Sequence, residues 1–284
     1  MEHATTDRLS RTIAQLASLP GVTEAVDAAR DACTQLRWHQ ALRRRVAEAR
    51  AESTARAARA SAAIDGAELP VAVVRDILRG ARAVPDDAVG RTVAGAVRAT
   101  VESGQLSRAL GTAPLQALAR LHTAAAAGLV DAGALGRPRV GDEQPRDLPG
   151  PGTPPSGPEL HARLDALTEL LALPGDVPAL VVAALAHGEV MAMRPFVAGN
   201  GLVARALFRA VVVERGLDPT GVAVPEHAVL AGGLPVYAAA LTGYVAGDAD
   251  GVAGWLVHCG DVVRLGAAEG VRVADAVLAG RLTR

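Results

Sequence analysis

The scarcity of aromatic side chains is the feature that most restricts how this chain can fold. Only two Trp, two Tyr and two Phe occur in 284 residues, whereas half of all residues are apolar. The core must therefore be built from Ala, Val and Leu, and a chain rich in Ala and Leu favours closely packed helices. No stretch of useful length alternates apolar and polar residues as a half-buried strand does. The sequence predicts an all-α fold.

Helical periodicity and a change of composition divide the chain into two predicted regions. An N-terminal helical region, assigned to 1–104, contains helical patterns over 5–60, 70–80 and 87–103. A helical core, assigned to 105–284, contains such patterns over 107–130, 159–171, 178–192, 200–216, 234–246 and 250–268. Within the core, residues 133–158 hold many Gly and Pro residues and few large apolar ones. So long an irregular segment inside a compact domain is usually functional or disordered.

Charge and cysteine content argue against several classes of function. The net charge is −1, so the basic excess of a nucleic-acid surface is missing, and we expect no nucleic-acid partner. The N-terminus lacks an apolar signal segment, and the uncharged stretch 228–247 is interrupted by two glycines and a proline. We therefore expect no membrane partner. Cys33 and Cys259 are far apart and are expected to be free thiols of a cytoplasmic protein.

A glycine turn before a predicted helix has the composition of an anion site. Gly199, Asn200 and Gly201 open a helical pattern that ends at Gly216. Backbone N–H groups at a helix start have no partner within the helix, and together with the helix dipole they suit a phosphate. Arg205, one turn into the helix, offers a forked and permanently charged donor to the same place. An ordinary capped helix start gives the same pattern, so the turn alone is a weak signal.

The wider segment 194–205, RPFVAGNGLVAR, is similar to the signature of the Fic family, His-Pro-Phe-x-(Asp/Glu)-Gly-Asn-Gly-Arg-x-x-Arg. The matching positions are Pro195, Phe196, Gly199, Asn200, Gly201 and Arg205. Three functional positions depart from the signature. Arg194 stands at the position of the histidine, Ala198 at that of the acid, and Leu202 at that of the first arginine.

Flanking segments extend the resemblance over residues 55–270 or so. Ala186-His187 resembles the Ala-His that precedes the family loop, and Tyr237 with the stretch 250–263 resembles the last two helices of the family. The segment Gly136-Arg137-Pro138-Arg139, followed by Pro154-Pro155, resembles the family's flap. The segment Ser61-Ala62-Ala63-Ile64-Asp65-Gly66 resembles the inhibitory Ser-x-x-Ile-Glu-Gly helix found ahead of many Fic cores.

The resemblance implies a Fic-like helical core with an N-terminal helical extension, the signature loop at 194–205, and a short flap at 133–158 with room for a small β-hairpin. It implies that ATP or another nucleotide, or a small phosphate-containing molecule, binds at the loop. The binding groups would be Gly199, Asn200, Gly201 and Arg205, with Arg194 as an additional cation. A protein target would bind at the flap, where Gly136, Arg137 and Arg139 lie.

The inhibitory segment 61–66 carries a further implication. Its acid, Asp65, would pair with Arg205, supported by Ser61 and by Gly66 at the end of the segment. Asp is one methylene shorter than the usual Glu, so a looser pair and no pair at all are both open. Phe196, one of only two phenylalanines, is expected to be buried beneath the signature loop.

The three departures remove chemistry that the resemblance would otherwise imply. In active relatives the histidine takes the proton from the target hydroxyl, which requires a free lone pair. The guanidinium of Arg194 stays protonated and accepts no hydrogen bond. Ala198 offers Mg²⁺ no ligand, so we expect no tightly held magnesium. No catalytic residue is assigned, although His187, two turns upstream of Arg194, and His227 are weaker candidate bases.

Three hypotheses for the function stay open. The first is a pseudoenzyme that binds a nucleotide or phosphate-type anion and acts as a regulator or partner-binding module. The second is an enzyme with altered Fic chemistry that transfers a nucleotidyl or other phosphate-containing group without the histidine. The third is an interaction protein in which the anion site is also lost. The retained glycine turn and Arg205 favour the first hypothesis over the third.

Overall fold

Helices account for nearly all regular structure in the molecule. The computed structural model describes residues 2–106, 109–147, 150–175 and 177–281, and over these ranges it contains no strand. The helices are α1 (Glu2–Ala17), α2 (Val22–Arg37), α3 (Leu42–Ile64), α4 (Val71–Leu78), α5 (Ala88–Ser103), α6 (Ala109–Thr112), α7 (Pro114–Ala126), α8 (Gly157–Leu171), α9 (Ala179–Met193), α10 (Asn200–Glu214), α11 (Pro225–Gly232), α12 (Leu234–Ala246) and α13 (Ala249–Leu278). The prediction of an all-α fold is confirmed.

The N-terminal region packs directly on the core. The predicted helical stretch 5–60 is divided into α1, α2 and α3, and the first break falls at Gly21, whose φ of 77° is costly for residues with a side chain. Helix α3 contacts α5, α10, α11 and α13, while α2 lies along α13. The predicted boundary at 104/105 falls in the turn after α5. That division into two regions stays a prediction.

Helices α9 and α10 form the centre of the fold and position the loop between them. They pack against each other, and nearly every residue of both is buried. Helix α9 is apolar around its whole circumference, as a helix enclosed on every side must be. Each Val or Leu buried here contributes roughly 1.5–3 kcal/mol relative to its exposed state. Trp255 of α13 adds a polar anchor, because its indole N–H donates to the carbonyl of Ala184 at 2.8 Å. The loop 194–199 therefore connects two buried helices that pack against each other.

The segment predicted as a flap is irregular, and the small β-hairpin for which it had room is not formed. A single 3₁₀ turn covers Ala132–Ala134, and the described residues of 133–158 contain no strand. Prolines in this segment lack the N–H that a ladder needs. Two carbonyls of the segment are bound instead by the guanidinium of Arg139, that of Glu143 at 2.7 Å and that of Pro155 at 2.9 Å.

Helices α11 and α12 form a bent, apolar pair. Helix α11 was not among the helices predicted from the sequence, and α13 ends about ten residues later than predicted. Gly233, with φ of 93°, separates α11 from α12. Among the described helices none alone has the length and apolar character to cross a membrane, and α11 with α12 pass that test only as a pair bent by 104°.

Candidate functional site

Two left-handed residues and one asparagine shape the signature loop. Among the described residues, Arg194 is the one non-glycine with a positive φ (42°), and it ends α9. Gly199, with φ of 82°, precedes the first turn of α10. The buried side chain of Asn200 accepts a hydrogen bond from the Phe196 N–H at 2.9 Å and donates to the Phe196 carbonyl at 2.8 Å. The loop is thereby closed on itself, and a non-glycine residue in this region of φ is often found at a functional site.

Phe196 anchors the loop from below, as the sequence predicted. Its side chain is only 1% exposed and stacks on the His122 ring, with centroids 3.9 Å apart and planes at 4°. The Nδ1 atom of His122 accepts from the Gly136 N–H at 2.9 Å, so its Nε2 carries the proton donated to the Ala198 carbonyl at 3.1 Å. Burial lowers the pKa of His122 to about 4, which keeps the ring neutral. Sequence reasoning missed His122, because no motif connects α7 to the loop.

Arg205 is held by the C-terminal turn of α3. It is buried, and its Nη2 lies 2.8 Å from the Oδ1 atom of Asp65. Its Nε donates to the Ser61 hydroxyl at 2.8 Å, and Nη2 also donates to the Ser61 carbonyl at 3.0 Å. The shorter acid was expected to give a looser pair or no pair, and the structure has neither, because the two groups are in close contact at 2.8 Å.

Two glycines permit this contact between α3 and α10. A Cβ atom on Gly201 would lie 2.9 Å from the Asp65 carboxylate and 3.0 Å from the Arg205 guanidinium. Only a residue without a side chain lets the pair approach the helix start so closely. Gly66, with φ of 82°, turns the chain immediately after Asp65 and ends the segment.

The guanidinium of Arg194 is bound by backbone carbonyls that follow the flap arginines in the sequence. Its Nη2 donates to the Gly152 carbonyl at 2.6 Å and its Nη1 to the Pro151 carbonyl at 3.4 Å, while Nε is buried without a partner. A Cβ atom on Gly150 would lie only 2.0 Å from Nη1, so the guanidinium depends on this glycine for space. Burial, with the nearby Arg139, lowers the pKa of Arg194. The group at this position is still a donor that offers no lone pair.

Of the two flap arginines identified from the sequence, one is buried and the other lies nearer the surface. Arg139 is 2% exposed, and it donates to the Arg194 carbonyl at 2.8 Å and the Met193 carbonyl at 3.2 Å. Its own N–H donates to the Pro195 carbonyl at 2.7 Å. Arg139 therefore fastens the flap to the signature loop. Arg137 lies further out, where its guanidinium pairs with Glu143 at 2.9 Å.

Asp147, which the sequence analysis did not identify, caps the start of α10. Its Oδ1 accepts from the Gly199 N–H at 2.7 Å, and its Oδ2 accepts from the Asn200 N–H at 3.3 Å and from the Asn200 side-chain amide. Burial raises the pKa of Asp147, and the bonds from Asn200 and Gly199 oppose that rise. An acid within an irregular, proline-rich segment carries no sequence signal of such a contact.

A cavity of about 580 Å³ lies between the signature loop, the end of α3 and α12, within the size range of small-molecule sites. Its polar lining residues and loop glycines are Asp65, Arg146, Asp147, Arg194, Gly199, Asn200, Gly201 and Arg205. Helix α12 contributes Leu234, Tyr237 and Leu241 to the lining. Arg146 is exposed and forms no ion pair with an acid in the described ranges. All five residues predicted for the anion site, including Arg194, thus line one cavity.

The two candidate histidine bases lie outside this cavity. His187 is buried, its Nε2 is 2.7 Å from the Tyr237 hydroxyl, and burial, with the charge of Arg205 and then His258, lowers its pKa to about 3. His227 lies on α11, with Nε2 at 3.8 Å from Glu269. No histidine is among the described residues that line the cavity wall.

Comparison with known proteins identifies the fold. No protein-family model matches the sequence, and no curated protein matches it. Among solved structures, a Fic family protein from Desulfovibrio desulfuricans is similar, with a TM-score of 0.69 and 20% identity over 90% of this chain and 75% of that chain. A fragment of Fic-1 from C. elegans is similar, with a TM-score of 0.64 and 19% identity over 91% and 73% of the two chains. A Fic domain containing signaling protein from Bacteroides thetaiotaomicron gives 0.60 and 13% over 89% and 98%.

These likenesses cover almost the whole of this chain and agree on one architecture. The chain has the Fic fold, as the signature-like segment and its flanks predicted. At identities of 20% and below the likeness establishes the fold alone. Function has to be argued from the residues of the site.

Proposed function

We propose that this protein is a Fic-fold pseudoenzyme that binds a nucleotide or another phosphate-type anion and acts as a regulator or partner-binding module. One observation carries the proposal. The cavity keeps the glycine turn and Arg205 for binding, whereas Arg194 supplies a donor-only group at the position where AMP transfer requires a base.

The cavity has the polarity that a nucleotide needs. Phosphates suit the end formed by the turn and Arg205, while the apolar wall of α12 with Leu234 and Leu241 suits a nucleobase. Arg146 adds a guanidinium to the cavity lining, which compensates for the charge absent at Leu202. Each charge-assisted hydrogen bond to a phosphate contributes roughly 1.5–3 kcal/mol. ATP is the first candidate ligand.

The same cavity is poorly equipped for proton transfer. Its carboxylates, Asp65 and Asp147, are bound to Arg205 and to the loop amides. Burial raises the pKa of Tyr237 above its usual range, which keeps its hydroxyl protonated. Ala198 gives Mg²⁺ no carboxylate, so a nucleotide would bind without a tightly held metal. We further propose that the protein is cytoplasmic and that a protein target binds at the outer side of the flap, near Arg137.

Calorimetry with ATP and with inorganic phosphate tests the binding. Removal of a charge-assisted contact should weaken binding about tenfold or more, so Arg205→Ala and Arg146→Ala should both lose affinity. Arg30→Ala removes an exposed guanidinium on α2 and should bind as the wild type does. Melting curves establish that each variant is folded. Equal affinity in all four proteins would refute the assignment of the site.

Transfer of label from ATP separates the pseudoenzyme from an enzyme with altered chemistry. Wild type and Asp65→Ala should both fail to label themselves or proteins of a lysate, because release of Arg205 supplies no base. Labelled AMP on either protein would overturn the pseudoenzyme and support the second hypothesis. Nucleotides labelled elsewhere extend the test to transfer of other phosphate-containing groups.

A further inference from the structure

We propose that the Asp147 carboxylate is an internal competitor for the anion site, which must leave the start of α10 before a ligand phosphate can bind there. The inference rests on the proposed function and adds a mode of regulation to that site. It concerns a contact within this chain between the irregular segment and the signature loop.

The carboxylate occupies the donors that a phosphate would use. The N–H groups of Gly199 and Asn200, at 2.7 and 3.3 Å from its oxygens, belong to the first residues of α10 and its cap, where no partner exists within the helix. A carboxylate presents an anion with two acceptor oxygens to these donors, as a phosphate does. The two anions cannot occupy the same pair of donors, so binding of one excludes the other.

A second internal acid engages the other retained group. Asp65 lies 2.8 Å from Arg205, so both the loop amides and Arg205 already have an anionic partner from this chain. The charge of Asp65 also acts unfavourably on the ionised Asp147, in addition to the cost of burial. A ligand phosphate that enters between them meets two like charges.

The position of Asp147 in the chain makes its departure feasible. It lies in irregular backbone rather than within a helix, so the carboxylate can leave without the unwinding of a helix. The preceding residue stays attached to the loop, because the Arg146 N–H donates to the Val197 carbonyl at 2.7 Å. A protein whose binding-competent state is a minor one shows an affinity reduced by the fraction of that state.

The test is calorimetry with ATP and with inorganic phosphate on wild type, Asp147→Ala, Asp147→Asn and Asp142→Ala. Removal of the internal anion should raise affinity roughly ten- to a hundredfold, as expected for a competent state populated at 1–10%. Asp147→Asn keeps the shape of the side chain and serves if the alanine variant does not fold. Asp142 is an exposed acid of the same segment, and its removal changes the net charge equally without a contact to the loop.

Each outcome decides the proposal. Tighter binding by both Asp147 variants, with Asp142→Ala equal to wild type, supports it. Equal affinity in all four proteins overturns the role of Asp147 and leaves the proposed function intact. A similar gain in Asp142→Ala also overturns it, because net charge then explains the effect. No binding by any folded variant overturns both proposals.

Discussion

At the scale of single residues, the signature loop rests on the stacked rings of Phe196 and His122. Replacement of Phe196 with Ala removes a fully buried ring at the centre of the site, which should cost roughly 3–5 kcal/mol of unfolding free energy. Urea unfolding followed by circular dichroism measures the loss. Val140→Ala, at an exposed flap position, should change stability by less than about 0.5 kcal/mol. A loss below about 1 kcal/mol for Phe196→Ala would show that the stack does not support the loop.

Sequence could identify only those site residues that belong to a contiguous pattern. Phe196 and Arg205 lie in the signature-like segment, and Asp65 lies in a second short segment with its own spacing. His122 and Asp147 meet the loop across 76 and 52 residues of chain, respectively. Such contacts depend on how α7 and the irregular segment fold back onto the loop, and neither composition nor periodicity carries that information.

At the scale of elements, the buried side chain of Arg139 makes the largest set of hydrogen bonds between the flap and the end of α9. Arg139 donates to four carbonyls, two in the irregular segment and two around the end of α9. Arg139→Ala should loosen the segment, because each lost hydrogen bond costs roughly 0.5–1.5 kcal/mol. Amide exchange at Arg146, whose N–H is bonded to Val197, should become faster by at least about tenfold.

The matched control is Arg137→Ala in the same segment. That guanidinium pairs with Glu143 near the surface, where an ion pair contributes about 0–1 kcal/mol, so exchange at Arg146 should change little. Equal acceleration in both variants would contradict the role given to Arg139. The segment does not form the hairpin that the sequence allowed, because its prolines lack the N–H groups that a strand ladder requires. For the same reason its carbonyls need side-chain donors, and Arg139 supplies them.

At the scale of the whole molecule, four of the six Trp, Tyr and Phe residues form one cluster, namely Phe208, Tyr237, Tyr244 and Trp255. Helical periodicity was sufficient to predict the all-α architecture, but not this clustering, which arises where α9, α10, α12 and α13 meet. His187 lies among Trp255, Tyr237 and Phe208, with ring centroids 5.3–5.8 Å apart. The cluster adds large rings to a core otherwise built mainly from Ala, Val and Leu, and it buries a neutral histidine. His122, beneath the signature loop, is a second one.

Buried neutral histidines make the stability of the whole molecule dependent on pH. Burial holds the pKa of His122 at about 4 and that of His187 at about 3, against an ordinary value of 6.5. Below pH 6.5 these two histidines are protonated in the unfolded chain but stay neutral in the folded protein. Their contribution to the free energy of unfolding is therefore complete above pH 6.5 and is lost as the pH falls from 6.5 through the folded pKa values. Each histidine contributes a slope of about 1.4 kcal/mol per pH unit between roughly pH 4.5 and 6. Urea unfolding across that range should therefore show a slope smaller by this amount in His122→Gln than in wild type, whereas Val140→Ala, at an exposed position without a titratable group, should keep the wild-type slope. An unchanged slope in His122→Gln would show that the ring beneath the loop takes up its proton as readily in the folded protein as in the unfolded one.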